Sequence, residues 1–303
     1  MDMNIRYTKL RFTLQMTEDT QICQHKVSAL RGGIGEMLLQ QYCLRSDRNC
    51  ETCGFREDCP VSRFFYHPLK IKPPYIQKGE SLGYVIECND RRKKLAQGES
   101  FSFQMLFFGS TIIYFPDIMQ ALYRLGQDGL GREKAHFMIQ SVQNELCEPV
   151  LKENVIYNDK IRTTMINEYI KRHEYLKTKA CIIRFITPLS VKYHGQWLQQ
   201  FQENALIEST VRRLYMLNCL EGNEVDSVLP QELPQIKKQS VRKGQITRYS
   251  NTHRSKIILR GIYGECMIDN ISEEVFRYLL AGQLVHIGKN TTMGFGQYQI
   301  EPI

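Results

Sequence analysis

The chain has 303 residues, 42% hydrophobic and 24% charged, which excludes a disordered chain and suits two domains of about 100–200 residues each. No run approaches the roughly 18–20 apolar residues that cross a membrane. The first residues lack the apolar core and cleavage site of a signal peptide, so the chain reads as cytoplasmic and its ten cysteines as reduced. The formal net charge is +8, from 40 Lys and Arg against 32 Asp and Glu.

Ile5 to Leu14 alternates as a half-buried strand does. In Val27 to Tyr42, Leu30, Ile34, Met37 and Leu38 recur at helical spacing, behind a front crowded by Gly32, Gly33 and Gly35. Each helical glycine costs roughly 1 kcal/mol against alanine, so three in four positions predict close approach of another backbone or a phosphate. Phe101 to Phe108 predicts a strand, Ile112 to Leu125 a helix in which Pro116 marks a kink or the true start, and His136 to Val142 a strand. Residues 151–179 read as a linker. Ala180 to Leu189 then predicts a strand, Trp197 to Leu220 a helix, and Ile257 to Ile268 one long strand or a pair. A helix over 272–284 is capped by Ser272, and a strand closes the chain from Tyr298. The order strand, helix, strands, helix, strand occurs twice. The fold expected is α+β: two tandem ferredoxin-like (RRM-like, βαββαβ) domains over 1–150 and 180–303, with a cysteine-rich insertion, 43–59, in the first.

Three features carry chemistry. Lys237, Lys238, Arg242, Lys243, Arg248, Arg254, Lys256 and Arg260 follow one another with no Asp or Glu between, as a basic loop. Tyr249 and His253 interleave with them, a combination that attracts a polyanion and can stack on its bases. Arg91 to Lys94 is a shorter run that reads as a solvated turn. A glycine-rich loop, His286-Ile-Gly-Lys-Asn-Thr-Thr-Met-Gly-Phe-Gly-Gln-Tyr298, offers Gly288, Gly294, Gly296 and Lys289 to an anion. It opens no helix, so it is neither a Walker loop nor a dinucleotide fingerprint. Cys43, Cys50, Cys53 and Cys59 have the spacing of a four-thiolate structural zinc site, with an iron–sulfur cluster or no metal as alternatives. The other six cysteines read as core residues.

Five segments, LRGGIGEML (30–38), GLGREKAHFMIQSV (129–142), FITPLSVKYHG (185–195) with VRRLYML (211–217), RYSNTHRSKIILRGIYGE (248–265) and HIGKNTTMGFGQY (286–298), stand in the order in which similar segments occur in one family. The chain resembles the CRISPR precursor-RNA processing endoribonucleases of the RAMP superfamily. The resemblance implies an RNA-binding enzyme of antiviral defence. It would cut within CRISPR repeats without metal: a 2′-hydroxyl attacks the adjacent phosphate, leaving a 2′,3′-cyclic phosphate and a 5′-hydroxyl. It also implies a catalytic histidine, for which His25, His67 and His286 are the candidates beside Lys289. Arg31, Arg248, Tyr249, Arg254 and Lys256 are the RNA-contact candidates. The expected partners are repeat RNA and other CRISPR effector subunits, with no membrane and no nucleotide cofactor. A non-catalytic RNA-binding RAMP subunit, or a zinc-stabilised interaction module, are the alternative readings.

Overall fold

The computed structural model describes residues 1–303 except 51, 67, 68, 70, 72, 74–81 and 251–254, and only the backbone of Tyr66, Tyr249 and Ser250. Two compact units result: an N-terminal unit, Arg6–Leu69 with Pro74–Thr163, and a C-terminal unit, Met1–Ile5 and Lys70–Pro73 with Thr164–Ile303.

In the N-terminal unit, alternation makes β1 (Arg6–Met16) one-faced: Leu10, Phe12, Leu14 and Met16 are buried. β1 pairs with β3 (Ser100–Phe108) in a register that sets Phe12 opposite Phe103, and the two rings stack at 5.0 Å. With β2 (Tyr84–Glu87), β4 (Phe137–Asn144), β5 (Pro149–Lys152) and β6 (Val155–Ile156) the sheet order is β2-β3-β1-β4-β5-β6, antiparallel throughout.

Leu30, Ile34, Met37 and Leu38 of α1 (Lys26–Tyr42) join the buried core, as do Ile118, Leu122 and Leu125 of α3 (Phe115–Asp128), which carries Pro116 in its first turn. A Cβ on Gly33 would lie 2.7 Å from the Leu125 side chain, and one on Gly35 3.0 Å from the ring of Phe65 in α2 (Pro60–Tyr66). The glycines at the front of α1 thus admit side chains of two neighbouring helices. Gly32 meets nothing within 4 Å, so Gly32→Ala is expected to stabilise the helix by about 0.8–1 kcal/mol in denaturant titration.

The C-terminal unit contains α4 (Ile166–Arg172) and repeats the strand order of the other unit's first four strands. β7 (Cys181–Leu189), α5 (Glu203–Glu221), β10 (Gln235–Ser250), β11 (Ser255–Asp269), α6 (Glu273–Val285) and β12 (Tyr298–Pro302) build a sheet ordered β10-β11-β7-β12. Ser272 caps α6, its hydroxyl accepting from the Val275 amide at 3.3 Å. Phe185 stacks on Phe201 at 5.0 Å, and the buried Tyr298 hydroxyl donates to the Leu279 carbonyl at 2.6 Å.

Two expectations are corrected. The basic segment is not a loop but a hairpin, because strands exposed on both faces need no apolar alternation to announce them. The helix expected from Trp197 begins at Glu203 instead. Trp197 belongs to a small hairpin, β8 (Lys192–Tyr193) with β9 (Gln196–Trp197). Its two-residue turn, His194-Gly195, has φ of 45° and 81°, the positive pair that a tight hairpin of type I′ requires. The architecture is a mixed α/β fold with antiparallel sheets, and among the described residues no helix is long and apolar enough to cross a membrane.

Candidate nucleic-acid interface

β10 and β11 stay paired from Gln235↔Asp269 to Ser250↔Ser255, but β7 partners β11 only over Ile262–Ile268. Residues 244–250 and 255–261 therefore extend past the sheet as the two strands of an arm. Arg248 faces the same side as Arg242; Lys256 faces the side of Lys243 and Arg260, because directly opposed residues share a face. Among the described residues, Lys238, Arg242, Lys243, Lys256 and Arg260 make no ion pair within 4 Å, whereas Lys237 meets Asp269 at 3.3 Å. Arg254 and the Tyr249 side chain lie outside the described residues.

The glycine-rich loop returns from α6 to β12 against the end of β7. There β7 leaves its register, between Phe185 and Leu189. The Gly296 amide donates to the Pro188 carbonyl at 2.9 Å, the Lys289 amide to Ser190 at 2.7 Å, and the Gln297 amide to the Thr187 hydroxyl at 2.9 Å. Gly288, Gly294 and Gly296 have φ of 81°, 79° and 72°. A Cβ on Gly296 would lie 1.9 Å from the Ile287 carbonyl oxygen, and one on Gly288 2.7 Å from that of Ser190. These glycines let the loop close on the protein itself. Among the described residues, the amides of Gly288, Asn290, Thr291 and Thr292 are those in this loop that make no such bond. Gly296→Ala is expected to cost at least about 1–3 kcal/mol from the backbone conformation alone, and a thermal melt would show it.

His286 sits at the start of this loop, fully buried, with φ of 58° and Nδ1 3.1 Å from the Phe295 carbonyl. A carbonyl only accepts, so Nδ1 carries the proton. The buried Arg213 of α5 donates Nε–H to the Val285 carbonyl at 3.2 Å, placing a cation at a helix C-terminus that has no basic residue of its own. The ring of His286 thus ties helix to loop from inside the unit. Lys289 is half-buried, its ammonium 5.7 Å from the centre of the Trp197 ring.

A second constellation lies in the N-terminal unit. Lys26, the first residue of α1, is fully buried; its ammonium donates to the Asp90 carboxylate at 2.9 Å and to the carbonyls of Asp90 and Arg92 at 3.1 and 2.7 Å. Burial would raise the Asp90 carboxyl, but hydrogen bonds from Arg92 and Lys26 outweigh it and hold the group below its ordinary range. This pins the 88–92 segment so that Arg91 reaches His25, Nη1 to Nδ1 at 2.8 Å. Guanidinium only donates, so Nδ1 accepts and the neutral ring carries its proton on Nε2. Burial first, then the charges of Arg91 and Lys26, lowers the His25 pKa from its ordinary 6.5. The run at 91–94, expected to be a solvated turn, is therefore anchored at its first two residues. Sixty-odd positions separate His25 from Arg91, and no local pattern links them. Arg31 lies elsewhere on α1, its guanidinium 5.2 Å from the centre of the Phe65 ring. His67 lies outside the described residues.

Cys43, Cys50, Cys53 and Cys59 line one cavity of about 210 Å³ with Leu39 and Tyr42. Cys43 Sγ donates to the Arg45 carbonyl at 3.6 Å, and burial, then the other three thiols, pushes the Cys50 thiol up. Yet among the described residues no group of three or more His, Cys, Asp or Glu could hold a metal ion. The structural zinc expected from the spacing is thus not supported: local turns gather the thiols around a cavity without converging them on a point. Of the six remaining cysteines, Cys88, Cys181, Cys219 and Cys266 are buried as expected, but Cys23 and Cys147 are exposed.

Comparison with known proteins places this geometry. Residues 5–168 match the AF_1859_N family model, described as an N-terminal domain, and residues 183–298 match the model of the CRISPR-associated endoribonuclease Cas6. No curated protein matches the chain. Among solved structures, the partial Cas6-RT-Cas1–Cas2 complex is similar at 10% identity and a TM-score of 0.56, over 98% of this chain and 46% of that one. The chain thus spans about half the length of that protein. A Cas6 product complex is similar at 14% identity and a TM-score of 0.56, over 98% and 99% of the two chains. Cas6 of Thermus thermophilus is similar at 9% identity and a TM-score of 0.50, over 98% of each. At such identities the structures share the fold. Residues 183–298 thus form a domain of the CRISPR-associated endoribonuclease Cas6 family, in a chain that shares its fold with Cas6 proteins.

Proposed function

We propose that the protein is a metal-independent endoribonuclease that cuts within CRISPR repeats of precursor crRNA. The observation that carries this reading is the β10–β11 arm, where Lys256 and Arg260 are exposed on one face and the sequence 244–261 carries no acid. Each unit, by its strand–helix–strand–strand–helix–strand order, is read as a ferredoxin-like domain, so that the two form a tandem. The partners proposed are repeat RNA and, after cleavage, other CRISPR effector subunits.

In the reaction the 2′-oxygen forms a bond to phosphorus, its proton passes to a base, and the bond from phosphorus to the 5′-oxygen breaks. The additional charge falls on the phosphate oxygens and on the departing 5′-oxygen, which takes up a proton from water to become the 5′-hydroxyl. His25 suits a donor role there. It is neutral at pH 7, its Nε2–H is not engaged by Arg91, and a fixed donor stabilises charge that develops in the transition state. The base is assigned to His67, by its place after the first helices. His286 is read as holding the loop, a role supported by its burial and its bond to the Phe295 carbonyl.

The test is a cleavage assay on repeat RNA in EDTA. One cut with a cyclic phosphate end is expected; a cut that needs added metal overturns the mechanism. If the arm contacts about five phosphates of single-stranded RNA, log K against log salt should have a slope of roughly −3.5. A flat response, measured by filter binding, would remove the arm from the interface. Tight binding with no cut would instead identify a non-catalytic RNA-binding subunit.

A further inference from the structure

Trp197 is the one tryptophan of the chain, and it is 53% exposed. Indole is the largest side chain a protein can bury, so the fold forgoes a considerable hydrophobic gain here. Nor is the ring on a loose segment. The β8–β9 hairpin pairs Lys192 with Trp197, and the Leu198 amide closes its base on the Val191 carbonyl at 3.1 Å. The neighbouring Tyr193 hydroxyl is tied to Glu208 at 3.2 Å. The Lys289 ammonium stands 5.7 Å from the indole centre, and the Lys289 amide is fixed to Ser190 at 2.7 Å. The glycine-rich loop and the hairpin thus present together a rigid, exposed aromatic ring and a cation beside it.

That pairing matches the two parts of one unpaired nucleotide. A flat, half-exposed ring accepts any base by stacking, and the ammonium over the ring takes the adjoining phosphate. We infer that Trp197 is a stacking platform for an unpaired base of the RNA, and that Lys289 neutralises the adjoining phosphate. The inference rests on the RNA-binding reading above and gives it a point of contact.

Because Trp197 is the sole tryptophan, its emission reports on this ring alone. The full-length protein would be titrated with single-stranded repeat RNA, with binding followed separately by the anisotropy of a labelled RNA. Emission should be quenched in step with binding, and a fully duplexed RNA should leave it unchanged. Trp197→Ala should bind the single strand about five- to a hundredfold more weakly, and Trp197→Phe should recover most of the loss. Both variants should melt with the parent, since the ring is exposed. RNA bound tightly with emission unchanged, and with Trp197→Ala unaltered in affinity, would overturn the platform and leave the RNA-binding reading standing. If the parent bound no RNA at all, that reading would fall, and the platform with it.

Discussion

Replacing His25 by alanine is expected to lower the single-turnover rate of repeat cleavage by about 10²–10³, the usual loss when one fixed donor to a developing charge is removed. RNA affinity should change little, because the ring contributes one hydrogen bond whereas binding is dominated by contacts to many phosphates. His67→Ala should lower the rate by about 10²–10⁴ if that residue is the base. His286→Ala should instead lower the melting temperature, since it empties a buried site and removes the Nδ1–H bond to Phe295. The pH profile supplies an independent reading of His25. Burial and the charges of Arg91 and Lys26 lower its pKa from the ordinary 6.5, so the neutral ring predominates at pH 7 and its limb in the rate profile belongs on the acid side of 6.5. The sign for stability is the same: the unfolded state takes up a proton near 6.5 before the folded state does, so this group weakens folding as the pH falls. If His25→Ala and His67→Ala both cut at the parent rate, the histidine mechanism is wrong.

Lys26→Met should destabilise the protein by about 3–5 kcal/mol, the range for removing one partner of a buried ion pair. The ammonium is fully buried and serves one carboxylate and two carbonyls at once. Methionine fills its volume but leaves all three acceptors short of a donor. Arg92 still holds the Asp90 carboxylate, at 2.6 Å, which places the loss toward the lower end of the range. Denaturant titration measures it, and a loss under about 1 kcal/mol would show the contact to be slight. In the parent, the Asp90 contribution is present above the ordinary carboxylate pKa and disappears as the pH falls through its depressed folded value. Because Lys26 pins the segment that bears Arg91, Lys26→Met should also lower cleavage at temperatures where the variant is still folded.

The sequence by itself determined the elements whose burial is periodic. The alternation of β1 and the helical stripe of α1 state which face is buried, and Ser272 marks a helix start by local chemistry that does not depend on the rest of the chain; Pro116 left a kink or a start open, and the fold made it a start. The basic character of 237–260 was equally plain, since charge needs no fold to be counted. Tertiary structure decided what that charge is mounted on, because a ribbon exposed on both faces has no apolar period. It decided that apolar Trp197 stays out of helix and core, a choice made by the positive φ of His194 and Gly195. It also decided that thiols with ligand spacing line a cavity without converging, since spacing bounds the reach of side chains but not their direction. Above all, it brought Arg91 to His25 and sealed His286 inside the unit. Seven histidines look alike in a sequence; what separates a buried tie from a ring available for chemistry is the packing around it, which arises from contacts between residues far apart in the chain.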